Sequence, residues 1–115
     1  MILTLYFTQG DKGEPGLGLY PPIVRNHSIN IIAKEGDDKT FTCTFFGNPL
    51  PHTRWRVNNI TNKVEKRVVD YKTSQVTTTL HVRNITWGHR GGVSCLATNI
   101  LGKVNRTGSL VVHGK

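Results

Sequence analysis

At 115 residues, with 37% hydrophobic and 19% charged side chains, the chain supports one modest core, which excludes a disordered polymer and a protein with two cores. A formal net charge of +8 directs attention to anionic partners (nucleic acid, an anionic membrane surface or a sulfated polysaccharide), set against a basic surface with no specific partner. No apolar run approaches the ~20 residues that cross a bilayer as a helix.

Residues 1–20 lack a periodic apolar pattern and read as a tail or linker. The opening "MILTLYF" is too short for a signal peptide and has neither a basic start nor a cleavage site. The sequence is therefore expected to be an excised part of a longer chain, with Met1 as an expression start. "GDKGEPGLG" (10–18) places Gly10, Gly13 and Gly16 in collagen register, with Pro15 and the pair Lys12 and Glu14 as typical filler. Three triplets hold no triple helix alone, because nothing is hydrogen-bonded until three chains wind together. The stretch is either a flexible Gly/Pro linker or the tail of a longer collagenous segment, and its filler favours the tail.

From Pro21 the texture changes. Short runs rich in Val, Ile, Thr and Phe alternate with turn residues at spacings of roughly 8–12, which predicts an all-β sandwich. "SINIIAK" sets Ile31 and Ala33 on one side, and "EGDD" supplies a turn. "KTFTCTFF" sets Phe41, Cys43 and Phe45 against Thr40, Thr42 and Thr44, the period-2 pattern of a half-buried strand. "GNPLP" is a turn, with Pro51 unable to donate to a central ladder. "HTRWRVNN" points Trp55 inward and Arg54 and Arg56 outward. "VTTTLHV" buries Leu80 and Val82, and Ile85 plugs the end of the sandwich. "GGVSCLATN" aligns Val93, Cys95 and Ala97 on one face, and "KVNRTGSLVV" is a last strand of less definite register.

Cys43 and Cys95 lie on separate strand patterns, with Trp55 twelve positions after the first. Such cysteines either bridge the two sheets with the tryptophan against the bridge or remain two buried thiols. In the chain-entropy treatment a bridge closing this loop stabilises by roughly 4 kcal/mol. Four Asn-X-Ser/Thr sequons, at Asn26, Asn59, Asn84 and Asn105, exceed the roughly one or two that composition predicts. They point to an oxidising, extracellular setting, favour the bridge and demote nucleic acid as a partner.

These residues resemble the immunoglobulin superfamily, and in detail its I-set branch. The match rests on "EG" at 35–36, "FTC" ending in Cys43, "GNPLPHTRW" at 47–55, "TLHVRNIT" at 79–86 and "CLATNILG" at 95–102. It covers about residues 21–113 and implies a Greek-key β-sandwich with a Cys43–Cys95 inter-sheet disulfide. One departure stands out. The family's D-x-G-x-Y-x-C stretch is here "HRGGVSC", so His89 takes the place of the aspartate and Val93 that of the corner tyrosine. That removes the tyrosine's corner hydrogen bond and the aspartate's ion pair, so a less stable domain of the same fold is expected, with this turn rearranged. Collagen triplets followed by such a domain are also similar in order to the invertebrate colmedins, extracellular proteins related to olfactomedin.

Catalysis finds no support. His27, His52, His81, His89 and His113 are scattered, both cysteines belong to the core, and no nucleophile–base pair, phosphate loop, metal-ligand spacing or cofactor motif is visible. Two surface sets are candidates. Arg54, Arg56, Lys63, Lys66, Arg67 and Lys72 form a basic run on or beside one sheet face, suited to a sulfated chain such as heparan sulfate, although Glu65 and Asp70 interrupt it. The alternative is a solvated basic face. Leu96, Ile100 and Leu101 offer an apolar protein contact, set against a hydrophobic turn that plugs its own core, which suits Leu101 especially. The expected function is recognition of a cell-surface or matrix protein, a second copy included, in adhesion or receptor signalling. Heparan-sulfate binding or a passive spacer role stands as the alternative. Membrane insertion is not expected, and a trimeric parent follows only if the collagen-like stretch continues.

Overall fold

The computed structural model describes residues 18–114, so the collagen-like triplets and the rest of the tail before Gly18 lie outside the described residues. Eight strands form the fold: β1 (Tyr20–Ser28), β2 (Ile31–Lys34), β3 (Lys39–Asn48), β4 (His52–Val57), β5 (Lys63–Asp70), β6 (Gln75–Val82), β7 (Gly91–Asn99) and β8 (Gly102–His113). They make two four-stranded sheets, ordered β1-β3-β6-β5 and β2-β8-β7-β4. Every pairing is antiparallel except β2 with β8, which is parallel.

Alternation explains the core. β3 turns Phe41, Cys43 and Phe45 inward, β6 adds Val76, Leu80 and Val82, and these meet Trp55 of β4 and Val93, Cys95 and Ala97 of β7. Leu110 and Val112 fix the register of β8, and Ile85 closes the end of the sandwich as expected. Cys43 and Cys95 are joined across the sheets with Cα atoms 6.5 Å apart. Phe41 meets Trp55 edge-on at 6.5 Å, and the buried indole Nε1–H donates to Thr78 Oγ1 at 2.9 Å. The tryptophan thus packs among apolar neighbours while its one polar atom is satisfied.

Two strands have no counterpart in the sequence pattern. β1 opens with Pro21 and Pro22 and carries register shifts at Tyr20/Ile23 and Val24/Asn26, which an edge strand tolerates because its outer N–H groups need no partner. β5 is the opposite edge of the same sheet. Its Val64 and Val68 are exposed, so no alternation marks it. Between β1 and β2 the chain changes sheets. A Cβ on Gly108 would lie 2.3 Å from the Ile29 carbonyl oxygen, so this close crossing requires glycine. Asn30 Oδ1 then accepts the Ser109 N–H at 3.1 Å.

The turn that departs from the I-set pattern closes by other means. Val93 fills the tyrosine's inward position and is buried. Residues Trp87–His89 form a 3-10 turn in which the Thr86 N–H donates to His89 Nδ1 at 3.0 Å and the His89 N–H donates to the Thr86 carbonyl at 2.9 Å. An imidazole nitrogen thereby serves as the acceptor that a carboxylate supplies in a capping box. The Arg90 guanidinium lies 4.4 Å from the Trp87 ring centroid and donates to the Trp87 carbonyl at 3.0 Å. Gly91 follows at φ 139°, a conformation that a side chain would strain.

Candidate functional site

Directly opposed residues of antiparallel strands share a face, so the pairing places each outward side chain. On the outer face of β2-β8-β7-β4, Arg54, Leu96 and Asn105 form one row across β4, β7 and β8. On one side of it lies the row His52, Thr98 and Lys103, and on the other the row Arg56, Ser94 and Thr107. Ser94 and Thr107 share a hydroxyl hydrogen bond of 2.8 Å. Arg54, Arg56 and Lys103 are exposed, and Leu96 between them is half-buried. The β7–β8 hairpin carries Ile100 and Leu101 at its tip, beside the His52–Thr98–Lys103 row. Ile100 is 83% exposed and Leu101 45%, so the tip presents both to solvent and Leu101 does not plug the core.

The charge distribution between the sheets is uneven. Among the described residues the carboxylates are Glu35, Asp37 and Asp38 in the β2–β3 turn and Glu65 and Asp70 on β5. The four strands of the β2-β8-β7-β4 sheet contain none, yet they carry Lys34, Arg54, Arg56, Lys103 and Arg106.

The six expected cations do not share one sheet face. Arg54 and Arg56 stand on this carboxylate-free face. Lys63, Lys66 and Arg67 belong to β5, the edge of the other sheet. Lys63 and Arg67 pair opposite the inward residues Val82 and Thr78, whereas Lys66 pairs opposite the outward Thr79. The Lys63 ammonium lies 3.5 Å from the Glu65 carboxylate. Arg67 Nη2 donates to the Pro51 carbonyl at 2.9 Å, so its guanidinium clasps the chain entering β4. Lys72 sits in the β5–β6 turn, where its N–H donates to Asp70 Oδ1 at 3.0 Å. Instead the fold joins Arg54 and Arg56 to the apolar candidates Leu96, Ile100 and Leu101, and adds His52 and Lys103. The two-residue hairpin between Asn99 and Gly102 fixes the register that brings Lys103 to this face, and "NILG" was the signal for it.

All four sequon asparagines are exposed. Asn26 faces outward on β1 opposite Thr44, on the other sheet. Asn59 follows β4 and Asn84 follows β6, both at φ near 50°. Asn105 lies within the carboxylate-free face.

This two-sheet sandwich with its central cystine and packed tryptophan is the architecture of an immunoglobulin domain. The family model described as "Immunoglobulin domain" matches residues 21–99, and the chain belongs to that family. It is 33% identical to human "Hemicentin-1" over 100 residues, which is 86% of this chain and 2% of that protein. It is 30% identical to the Caenorhabditis elegans "Muscle M-line assembly protein unc-89" over 82 residues, 71% of this chain and 1% of that one. With the chicken "BDNF/NT-3 growth factors receptor" it shares 28% identity over 103 residues, 89% of this chain and 12% of the receptor. The N-terminal eight Ig domains of Down Syndrome Cell Adhesion Molecule match its fold with a TM-score of 0.75 at 21% identity, covering 84% of this chain and 13% of that one. The chain thus corresponds to a small part of each relative.

Proposed function

We propose that this is an extracellular immunoglobulin domain that recognises an acidic protein partner through the outer face of the β2-β8-β7-β4 sheet, in adhesion or receptor signalling. The observation that carries this reading is the segregation of charge. Four strands without a carboxylate present Arg54, Arg56 and Lys103 around half-buried Leu96, with exposed Ile100 and Leu101 at the hairpin tip. An apolar centre with a cationic surround supports selective docking of a surface of opposite charge. The same charges oppose a face-to-face dimer, which would bring two cationic surfaces together. The Cys43–Cys95 bridge and four exposed sequons support an oxidising, glycosylating compartment.

Heparan sulfate is the competing reading, and the dispersal of its expected residues weakens it. With Arg67 held by Pro51 and Lys63 beside Glu65, no continuous run of free cations remains among the described residues. The test is binding of the secreted, fluorescently multimerised domain to cells treated with either heparinase or protease. Loss on protease treatment and in R54E/R56E, with heparinase harmless, supports a protein partner. Loss on heparinase treatment alone overturns that reading in favour of the polysaccharide. No binding to any cell, with or without enzymatic removal of the N-glycans, favours a spacer.

A further inference from the structure

We propose that N-glycosylation at Asn105 closes the recognition face, so that a domain bearing this glycan binds more weakly than one lacking it. The inference rests on the binding face argued above and adds the residue that controls it.

The geometry is that of one row. Asn105 is directly opposite Leu96, and Leu96 is directly opposite Arg54. Adjacent strands lie 4.7–4.9 Å apart, so the Asn105 and Arg54 backbones are about 10 Å apart with only Leu96 between them. A glycan on Asn105 is bulky and hydrated, and its stem rises on the same side of the sheet as both. It therefore covers the apolar centre and one flank of the cationic set.

The site can also accept such a group. Only Leu110–His113 of β8 pair with β2, so the Asn105 segment lies at the margin of the sheet, hydrogen-bonded to β7 alone. The side-chain amide of Asn105 makes no hydrogen bond to another described residue, so modifying it breaks no contact. The sequon threonine, Thr107, is held by Ser94 in the next row, which keeps the sequon in a regular strand. The other three sequons cannot act this way. Asn26 rises from the opposite sheet, and Asn59 and Asn84 follow β4 and β6 at the end of the sandwich away from the β7–β8 tip.

The experiment uses the domain secreted from glycosylating cells, with occupancy at Asn105 read by glycopeptide mass spectrometry. Binding to immobilised poly-L-glutamate at low salt is then measured for wild type, N105Q, N26Q and R54E/R56E, the last also in the N105Q background. Conservative T107S retains both sequon and hydroxyl and controls for local changes in β8. The expected result is an occupied Asn105 and a gain in affinity of about tenfold or more for N105Q, with N26Q and T107S like wild type. An Asn105 found unmodified overturns the proposal. So does an N105Q affinity equal to that of wild type when R54E/R56E has lost binding, and in that case the face itself stands. If R54E/R56E in the N105Q background binds poly-L-glutamate as N105Q alone does, the face reading fails and the gate fails with it.

Discussion

Replacing Thr78 with valine isolates the tryptophan's polar contact inside the core. Valine keeps the branched shape and fits a strand at least as well as threonine, so packing and propensity predict no loss. The change removes the hydroxyl that accepts the Trp55 Nε1–H at 2.9 Å in a site where Trp55 is 8% and Thr78 3% exposed. Water cannot replace that acceptor without opening the core, and an unsatisfied buried donor costs about 1–3 kcal/mol. For a domain of this size, each kcal/mol lowers Tm by roughly 4–8 °C. T78V is therefore expected to unfold well below wild type in urea and in thermal scans. T78S, which keeps the hydroxyl and loses a methyl, is expected to fall between the two. Pairing each change with W55F, which lacks the donor, should erase most of the T78V penalty. A T78V domain as stable as wild type would refute the claim that the Thr78 hydroxyl is needed to satisfy the buried indole donor.

Three further changes probe the places where this chain solves a problem of its own. H89A should cost about 0.5–2 kcal/mol in urea unfolding because the Thr86 N–H loses its acceptor, while H89D should restore it by supplying a carboxylate at the same turn position. G108A should destabilise by about 1–3 kcal/mol, since a Cβ there meets the Ile29 carbonyl at 2.3 Å and neither strand can yield freely. C43A/C95A should lose roughly 2–5 kcal/mol, read as a drop in the urea midpoint under non-reducing conditions.

Inward positions were legible in the sequence because the fold enforces them. Period-2 alternation in β3, β4, β6 and β7 marks Phe41, Cys43, Trp55, Leu80 and Cys95 without ambiguity, since a one-residue slip would expose the whole set. The edge strands escaped the same logic. β5 reads as a charged segment because neither of its faces is fully covered, and Arg67, an apparent surface cation, is committed to a backbone carbonyl that only the fold brings near. The proposed binding face was half legible: Arg54 and Arg56 follow from the inward Trp55, but grouping them with β5 assumed that neighbours in sequence share a sheet. In a sandwich, successive strands commonly belong to opposite sheets, and β4 and β5 do. The role of His89 was hidden for a different reason. A missing aspartate signals a lost ion pair, and only geometry shows that an imidazole nitrogen caps the Thr86 N–H at this turn.

Outward positions on a sandwich are free of the core's demands, which makes the composition of the β2-β8-β7-β4 face informative. Nothing in the fold requires that four strands lack carboxylates, and the like charges carry a cost. Arg54 and Arg56 are two residues apart on one face, so their Cα atoms are about 7 Å apart along the strand. Two exposed like charges at about that spacing would repel by roughly half a kcal/mol in water, less as salt screens them. Neither guanidinium bonds another described residue, so no internal contact offsets the repulsion. On the proposed reading, that cost is offset by what the face binds. The expectation is that R54Q/R56Q unfolds at the same urea midpoint as wild type or slightly higher, while losing affinity for poly-L-glutamate. If the double variant instead loses more than about 1 kcal/mol of stability, the arginines support the fold and the case for a binding face built on their charge collapses.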